Sequence, residues 1–228
     1  MTWLVTGTDT EIGKTVVTAC IAAAARTAGH APRAVKPLAT GVGPGEISED
    51  AALLALGAGH EPCTYATFGP PVSPHRAAWL EDRHVNPEAL LAWVRAQRGA
   101  PLFIEGIGGW KVPWIAERDG RVVLGHAAIA RAAGARVIVV APNRLGVLNH
   151  TLLTVEAIRH EGLQPRAVVL NDGAPRDPAD ASGATNEEDL RLLLDVPVVR
   201  LPPANLTDPA SMARAGHRAW MEIRETTP

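Results

Sequence analysis

A glycine closing an apolar run and a Gly-Lys-Thr triplet just downstream frame the stretch with the clearest capacity for chemistry: Gly7-Thr8-Asp9-Thr10-Glu11-Ile12-Gly13-Lys14-Thr15. It follows a predicted strand, Trp3–Thr6, and opens a predicted helix, Lys14–Ala28. In that setting a ring of backbone N–H groups at a helix start cradles phosphate. Lys14 can reach the terminal phosphates, and the Thr15 hydroxyl can ligate Mg²⁺. The spacing departs from the usual phosphate loop: Thr8 occupies the position of the first glycine, and Gly7 lies one residue early. A loop of this kind implies nucleotide binding and specifies no reaction.

The reaction must come from other strand ends, because ligands of open α/β sheets sit at the carboxyl ends of the strands. The second predicted strand runs into Val35-Lys36-Pro37-Leu38-Ala39-Thr40. Lys36 there is either a second cation for a transferred phosphoryl group, with the Thr40 hydroxyl beside it, or a surface lysine before a stiffened turn. Asp50, in the first turn of a predicted helix, is a metal ligand or simply a carboxylate favoured by the helix dipole. Glu105 ends the apolar strand Leu102–Ile104, where a Mg²⁺-binding carboxylate belongs, and Gly106, Gly108 and Gly109 let backbone approach a ligand closely. Gly146-Val147-Leu148-Asn149 is another glycine turn into a helix start, suited to a carboxylate. Asn171, after Ala167–Leu170, can pair with adenine or serve as a turn former. Ser73-Pro74-His75 reads as an extended X-Pro segment with diverging side chains and no nucleophile elbow, so a hydrolase triad is not expected. The eight histidines form no H-E-x-x-H, and the two cysteines no C-x-x-C, which leaves zinc unsupported.

Six apolar strands position these groups: Trp3–Thr6, Arg33–Lys36, Leu102–Ile104, Val137–Ala141, Ala167–Leu170 and Val198–Leu201. Their near-continuous apolar character predicts a parallel sheet buried on both faces. Helices are predicted at Lys14–Ala28, Glu49–Leu56 (N-cap Ser48), Pro87–Gln97 (N-cap Asn86), His126–Ala133, Leu148–Glu161 and Asn186–Leu194, with one more near the C-terminus. The alternation predicts a doubly wound α/β fold, mostly parallel, with helices on both faces. Gly41–Gly45 and Asp172–Gly183 read as loops, and residues 1–228 as one domain. At 46% hydrophobic and 20% charged residues the chain can build one sizeable core. A net charge of −2 offers no general attraction to nucleic acid or to an acidic membrane surface. Cys20 falls in an apolar helical run and reads as a small buried thiol; a reduced, cytoplasmic protein is expected.

In order along the chain, V-T-G-T-D-T-E-I-G-K-T, V-K-P-L-A-T-G, S-E-D-A, S-P-H, I-E-G-I-G-G-W, L-G-V-L-N-H and V-V-L-N-D resemble the dethiobiotin synthetase family, from Trp3 to about Leu206. The shifted glycine is a feature of that family's loop. The resemblance implies an ATP- and Mg²⁺-dependent enzyme that converts 7,8-diaminopelargonate and CO₂ to dethiobiotin through a carbamate and a carbamic–phosphoric anhydride. It implies Thr8, Asp9, Thr10, Glu11, Ile12, Gly13, Lys14 and Thr15 around ATP, with Thr10, Lys14 and Lys36 catalytic. Thr15, Asp50 and Glu105 would serve Mg²⁺. Asn171 would read adenine, beside the Pro202, Pro203, Ala204 and Asn205 loop. Lys36, Thr40 and Gly108 would contact substrate, and Gly146, Val147, Leu148 and Asn149 would hold its carboxylate from the second subunit of a homodimer. Thr40 stands where serine is common, Ile107 where a small residue is usual, and Arg144 where lysine precedes L-G. The rival readings are a partition- or switch-type ATPase, whose extra early-loop lysine is missing between Gly7 and Gly13, a binding module without turnover, and an amide-forming ligase.

Overall fold

Strands apolar on both faces must be covered on both, and the computed structural model, which describes residues 1–225, meets that demand with helices either side of one sheet. In chain order the elements are β1 (Thr2–Gly7), α1 (Lys14–Thr27), β2 (Arg33–Thr40), α2 (Glu49–Ala58), β3 (Thr64–Phe68), α3 (Pro74–Leu80), α4 (Pro87–Ala96), β4 (Leu102–Gly109), β5 (Ile115–Ala116) and β6 (Val122–Leu124). There follow α5 (His126–Ala133), β7 (Arg136–Pro142), α6 (Val147–His160), β8 (Pro165–Asn171), α7 (Asn186–Leu193), β9 (Val198–Leu201) and α8 (Pro209–Glu225), with a 3-10 turn at Ser182–Ala184. Seven strands form a parallel sheet in the order β3-β2-β4-β1-β7-β8-β9; β5 and β6 pair antiparallel beside it. Of the single domain expected for 1–228, residues 226–228 lie outside the described residues.

Alternation along the strands divides the core in two. Leu4, Val137, Val139 and Ala141 join the cluster under α3 to α6, while Trp3, Val5, Ile138 and Val140 join the cluster under α1 and α8. All six predicted strands are present, but β4 continues past Ile104 to Gly109, so Glu105 lies within the strand rather than at its end. β2 continues past Lys36 to Thr40, so Lys36 lies within a strand rather than at its end. Pro37 is tolerated because the Lys36 N–H serves the β3 side, leaving the missing Pro37 donor on the β4 side, past the last paired residue, Val35. The edge strand β3 was not predicted: Thr-Tyr-Ala-Thr-Phe pairs only with β2 and is mostly half-buried, so it lacks a continuous apolar signature. Nor was α3, since Pro74 restricts only the residue before it and itself takes the first helical position, with Ser73 as N-cap. The reading of Ser73-Pro74-His75 as extended is therefore corrected.

Helix α1 is buried almost throughout, and its run of alanines reflects how closely its neighbours approach. A Cβ on Gly57 of α2 would lie 2.4 Å from the Ala19 carbonyl oxygen, and one on Gly216 of α8 2.1 Å from that of Cys20. Cys20 is fully buried, and burial pushes its thiol up to about 12, an inert group as expected. Gly216→Ala is expected to lower stability by a net amount on the order of 1–2 kcal/mol, overpacking outweighing the propensity gained. Urea unfolding reads this as a lower midpoint at unchanged slope; an unchanged midpoint would mean that α1 and α8 separate freely.

Candidate active site

The phosphate loop is mounted on the core. Thr8 N–H donates to the Val140 carbonyl at 3.0 Å as the chain leaves β1. The loop then folds back so that Ile12, 1% exposed, plugs into the sheet end. A Cβ on Gly7 would lie 2.6 Å from Ile12 Cδ1 and 3.1 Å from Lys14 Cδ. The early glycine thus makes room for the returning loop, which explains the shifted spacing physically. Glu11 (φ 54°) and Gly13 (φ 89°) take left-handed backbone to complete the turn into α1. Asn171 clasps this turn from β8: its Nδ2 donates to the Ile12 carbonyl at 3.0 Å, and its Oδ1 accepts from Gly173 N–H at 3.0 Å. These bonds leave one N–H and one lone pair on the amide. The sequence signalled adenine or a turn; the structure adds support of the loop.

Beside the loop the sheet collects charge from three elements. Lys36 Nζ lies 2.5 Å from Glu105 Oε1, 2.6 Å from Asp50 Oδ2 and 3.4 Å from the Gly106 carbonyl oxygen. The Thr15 hydroxyl lies 2.8 Å from Asp50 Oδ1 and 2.9 Å from Glu105 Oε1. Lys14 Nζ donates to the Asp9 carbonyl at 2.7 Å, and Asp9 Oδ1 accepts from Thr10 N–H. Burial acts on each charged group and neighbours decide the outcome. For Lys36, burial pulls the pKa down, but Glu105 and Asp50 overcome it and hold it above the ordinary value. For Glu105, burial pushes the carboxyl up, Lys36 opposes and Asp50 adds to the rise. For Asp50, burial pushes the carboxyl up, but Lys36, the Thr15 hydroxyl and Lys14 together hold it low. Burial brings Lys14 down to about 8 against the pull of Glu105.

These groups line one cleft of about 520 Å³, which brings together Thr10, Glu11, Gly13, Lys14, Thr15, Lys36, Thr40, Asp50, Glu105 and Gly108. It also contains Glu49, Pro71 and Ile107, which sequence reasoning did not assign to the site. Pro71 follows β3, whose strand-forming T-Y-A-T-F run was the available signal. Thr8 and Asp9 instead border a separate groove of about 500 Å³ with Trp110, Lys111 and Leu153. Ile12 is core, and Asn171 lies beneath the loop. Pro202, Pro203, Ala204 and Asn205 follow β9, with Pro203 close to Gly173; Asn205 Oδ1 accepts from Thr207. Gly146, Val147, Leu148 and Asn149 do not line the cleft of their own chain. Gly146 is the left-handed N-cap of α6, and the preceding Leu145 N–H donates to Asp180 Oδ2 at 2.7 Å.

The donor set suits Mg²⁺. Glu105 Oε2 is buried with no hydrogen-bond partner, and the Glu105 and Asp50 carboxylates share Lys36 and the Thr15 hydroxyl. Among the described residues no group of three or more His, Cys, Asp or Glu could hold a metal. A partial set of this kind fits an ion that takes its remaining ligands from phosphate and water.

The sequence matches the family described as AAA domain over residues 1–210. It is 40% identical over 205 residues to the ATP-dependent dethiobiotin synthetase BioD of Anaeromyxobacter sp. (strain Fw109-5), covering 84% of this chain and 89% of that protein. Against the protein of the same name from Aromatoleum aromaticum, identity is 36% over 221 residues, covering 92% and 94%. In structure the chain resembles FtsY of Elizabethkingia anophelis (TM-score 0.51, 12% identity, covering 95% of this chain and 65% of that one). The likeness to chloroplast FtsY of Physcomitrella patens is similar (TM-score 0.50, 15% identity, 94% and 64%). These two likenesses show the P-loop NTPase fold alone.

Because Lys14 is brought to about 8, it is mostly charged at pH 7 and loses its charge as pH rises through 8. Affinity of the free protein for ATP is expected to fall between pH 7 and 9, while Lys14→Met binds more weakly with a flat profile over that range. Calorimetric titration across the range checks this; parallel profiles would remove Lys14 as the titrating group.

Proposed function

The chain belongs to the ATP-dependent dethiobiotin synthetases, a family of ATP-dependent ligases, and from that premise we propose that its cleft carboxylates 7,8-diaminopelargonate with CO₂ and closes the ureido ring. One observation carries the assignment of the site: Lys14, Lys36, Thr15, Asp50 and Glu105 converge on one cleft at the mouth of the phosphate loop.

One amine of the substrate captures CO₂ as a carbamate. A carbamate oxygen attacks the γ-phosphorus of ATP in line, ADP departs, and a carbamic–phosphoric anhydride remains. The second amine then attacks the carbonyl carbon, loses its proton and expels phosphate. The residues contribute position and charge more than covalent chemistry. Lys14 and the loop N–H groups, with Thr10 and Glu11 at the rim, hold the phosphates. Lys36, kept charged between Asp50 and Glu105, presents its ammonium to the carbamate and the transferred phosphoryl group, and Thr40 offers a hydroxyl to the reacting end. Thr15, Asp50 and Glu105 would hold Mg²⁺, which neutralises phosphate charge when bound. Asn171 and the Pro202–Asn205 loop would flank adenine through the amide valences that Ile12 and Gly173 leave open.

A homodimer belongs to the same proposal. Gly146–Asn149 lie outside their own cleft, and nearby Leu145 and Leu153 are 80% and 56% exposed, a surface suited to contact with a second copy. No described helix is long and apolar enough to cross a membrane. Consumption of ATP supports a cytoplasmic setting.

Incubating the protein with 7,8-diaminopelargonate, bicarbonate, MgCl₂ and ATP is expected to yield dethiobiotin, identified by mass, in step with released phosphate. Phosphate release indifferent to the diamine, without dethiobiotin, would overturn the reading. Lys36→Ala is expected to lower turnover roughly 10²–10³-fold, the range for losing one preorganised charge contact; near-full turnover would remove Lys36 from the mechanism. Glu105→Gln is expected to raise the Mg²⁺ concentration at half-maximal rate, and an unchanged metal titration would argue against ligation.

A further inference from the structure

We infer that His126 is a positioning residue for this reaction, fixing the Gly106–Ile107 peptide unit against which Lys36 is held; the inference rests on the function proposed above. His126 opens α5, is 1% exposed and lies outside the cleft. Its imidazole fills the space directly behind the middle of β4: a Cβ on Gly106 would lie 2.5 Å from His126 Nε2 and 2.6 Å from Cδ2. Gly106 is thus needed to admit the ring.

Two contacts join in one peptide unit. The Ile107 N–H points at His126 Nε2 at 3.3 Å, and the Gly106 carbonyl oxygen of that peptide faces Lys36 Nζ at 3.4 Å. With its N–H engaged by the ring, the peptide keeps its carbonyl turned to the ammonium, and the two bonds polarise each other. Lys36 therefore rests on Glu105, Asp50 and a carbonyl whose orientation His126 sets. Trp110 lies alongside the ring (centroids 5.5 Å, 31°) and Trp114 meets it edge-on (5.3 Å, 85°), so the imidazole has little room to rotate.

The ring nitrogens impose a choice. Trp114 Nε1–H also approaches Nδ1, at 3.3 Å, and a neutral imidazole can accept at only one nitrogen. The inference requires Nε2 as the acceptor and the proton on Nδ1, so that the Ile107 contact is kept and the Trp114 contact is given up. Burial, with the Lys14 and Lys36 charges adding, brings the imidazole down to about 3, so the neutral form that can accept is the one present. An aromatic hydrocarbon would fill the same volume, but it could not hold the peptide.

The test compares wild type with His126→Phe, which keeps ring volume without an acceptor, and His126→Gln, whose amide oxygen can reach toward Ile107. Each is assayed for dethiobiotin formation, ATP affinity and thermal midpoint. His126→Phe is expected to lower kcat about 10- to 100-fold, the range seen when the outer support of a functional group is lost, with ATP affinity unchanged. His126→Gln is expected to recover most of that loss. Nitrogen-15 spectra of wild type labelled at histidine are expected to show the Nδ1–H tautomer for His126. Wild-type kcat in His126→Phe, equal losses in both variants, or an Nε2–H tautomer would overturn the inference while wild type still makes dethiobiotin. Absence of dethiobiotin from wild type would instead overturn the proposed function and this inference with it. If His126→Phe does not fold, the tautomer and the activity of His126→Gln decide: an Nε2–H ring, or a Gln variant as inactive as an unfolded one, overturns the inference.

Discussion

A carboxylate with no exposure within a central strand is the constraint on which the site depends. Glu105 cannot be buried there without positive charge near it, because desolvating an unpaired carboxylate costs more than folding can supply. Lys36 answers from the adjacent strand and Asp50 shares it, beside the phosphate loop that carries Lys14. With Lys14 also within electrostatic reach of both carboxylates, the charges form an open network at the mouth of the cleft and not a closed ion pair.

Delivering those three side chains to one point is the work of the sheet order. β4 lies between β2 and β1, so Glu105 has Lys36 on one side and the phosphate loop on the other. Asp50 enters from the first turn of α2, which Gly57 lets settle against α1. The close packing of α1 with α2 and α8 therefore bears on the cleft as well as on stability.

Much of this was legible in the sequence. Glycine-flanked turns, the Ser48 and Asn86 caps and the apolar runs gave the strand–helix alternation, since each is a local signal. The loop residues and the Thr15, Asp50 and Glu105 set were nameable because strand ends are where such chemistry collects, and the family resemblance put them in order. What was not legible depends on neighbours. β3 is an edge strand with a mixed pattern, and Lys36 lies inside a strand because β3 pairs with β2 there. Gly7 serves Ile12 rather than phosphate. His126 carried no sequence signal, since a lone histidine opening a short helix reads as unremarkable until Gly106 is seen against it.

Ile12 carries a consequence for the loop as a whole. With its side chain in the core and its carbonyl held by Asn171, the cradle cannot loosen without drawing an apolar group into water and breaking a buried bond. Nucleotide thus meets a receptor already ordered, and association is relieved of most of the backbone entropy that a floppy loop would lose. Stiffness here is a thermodynamic asset, stored in the fold before the ligand arrives.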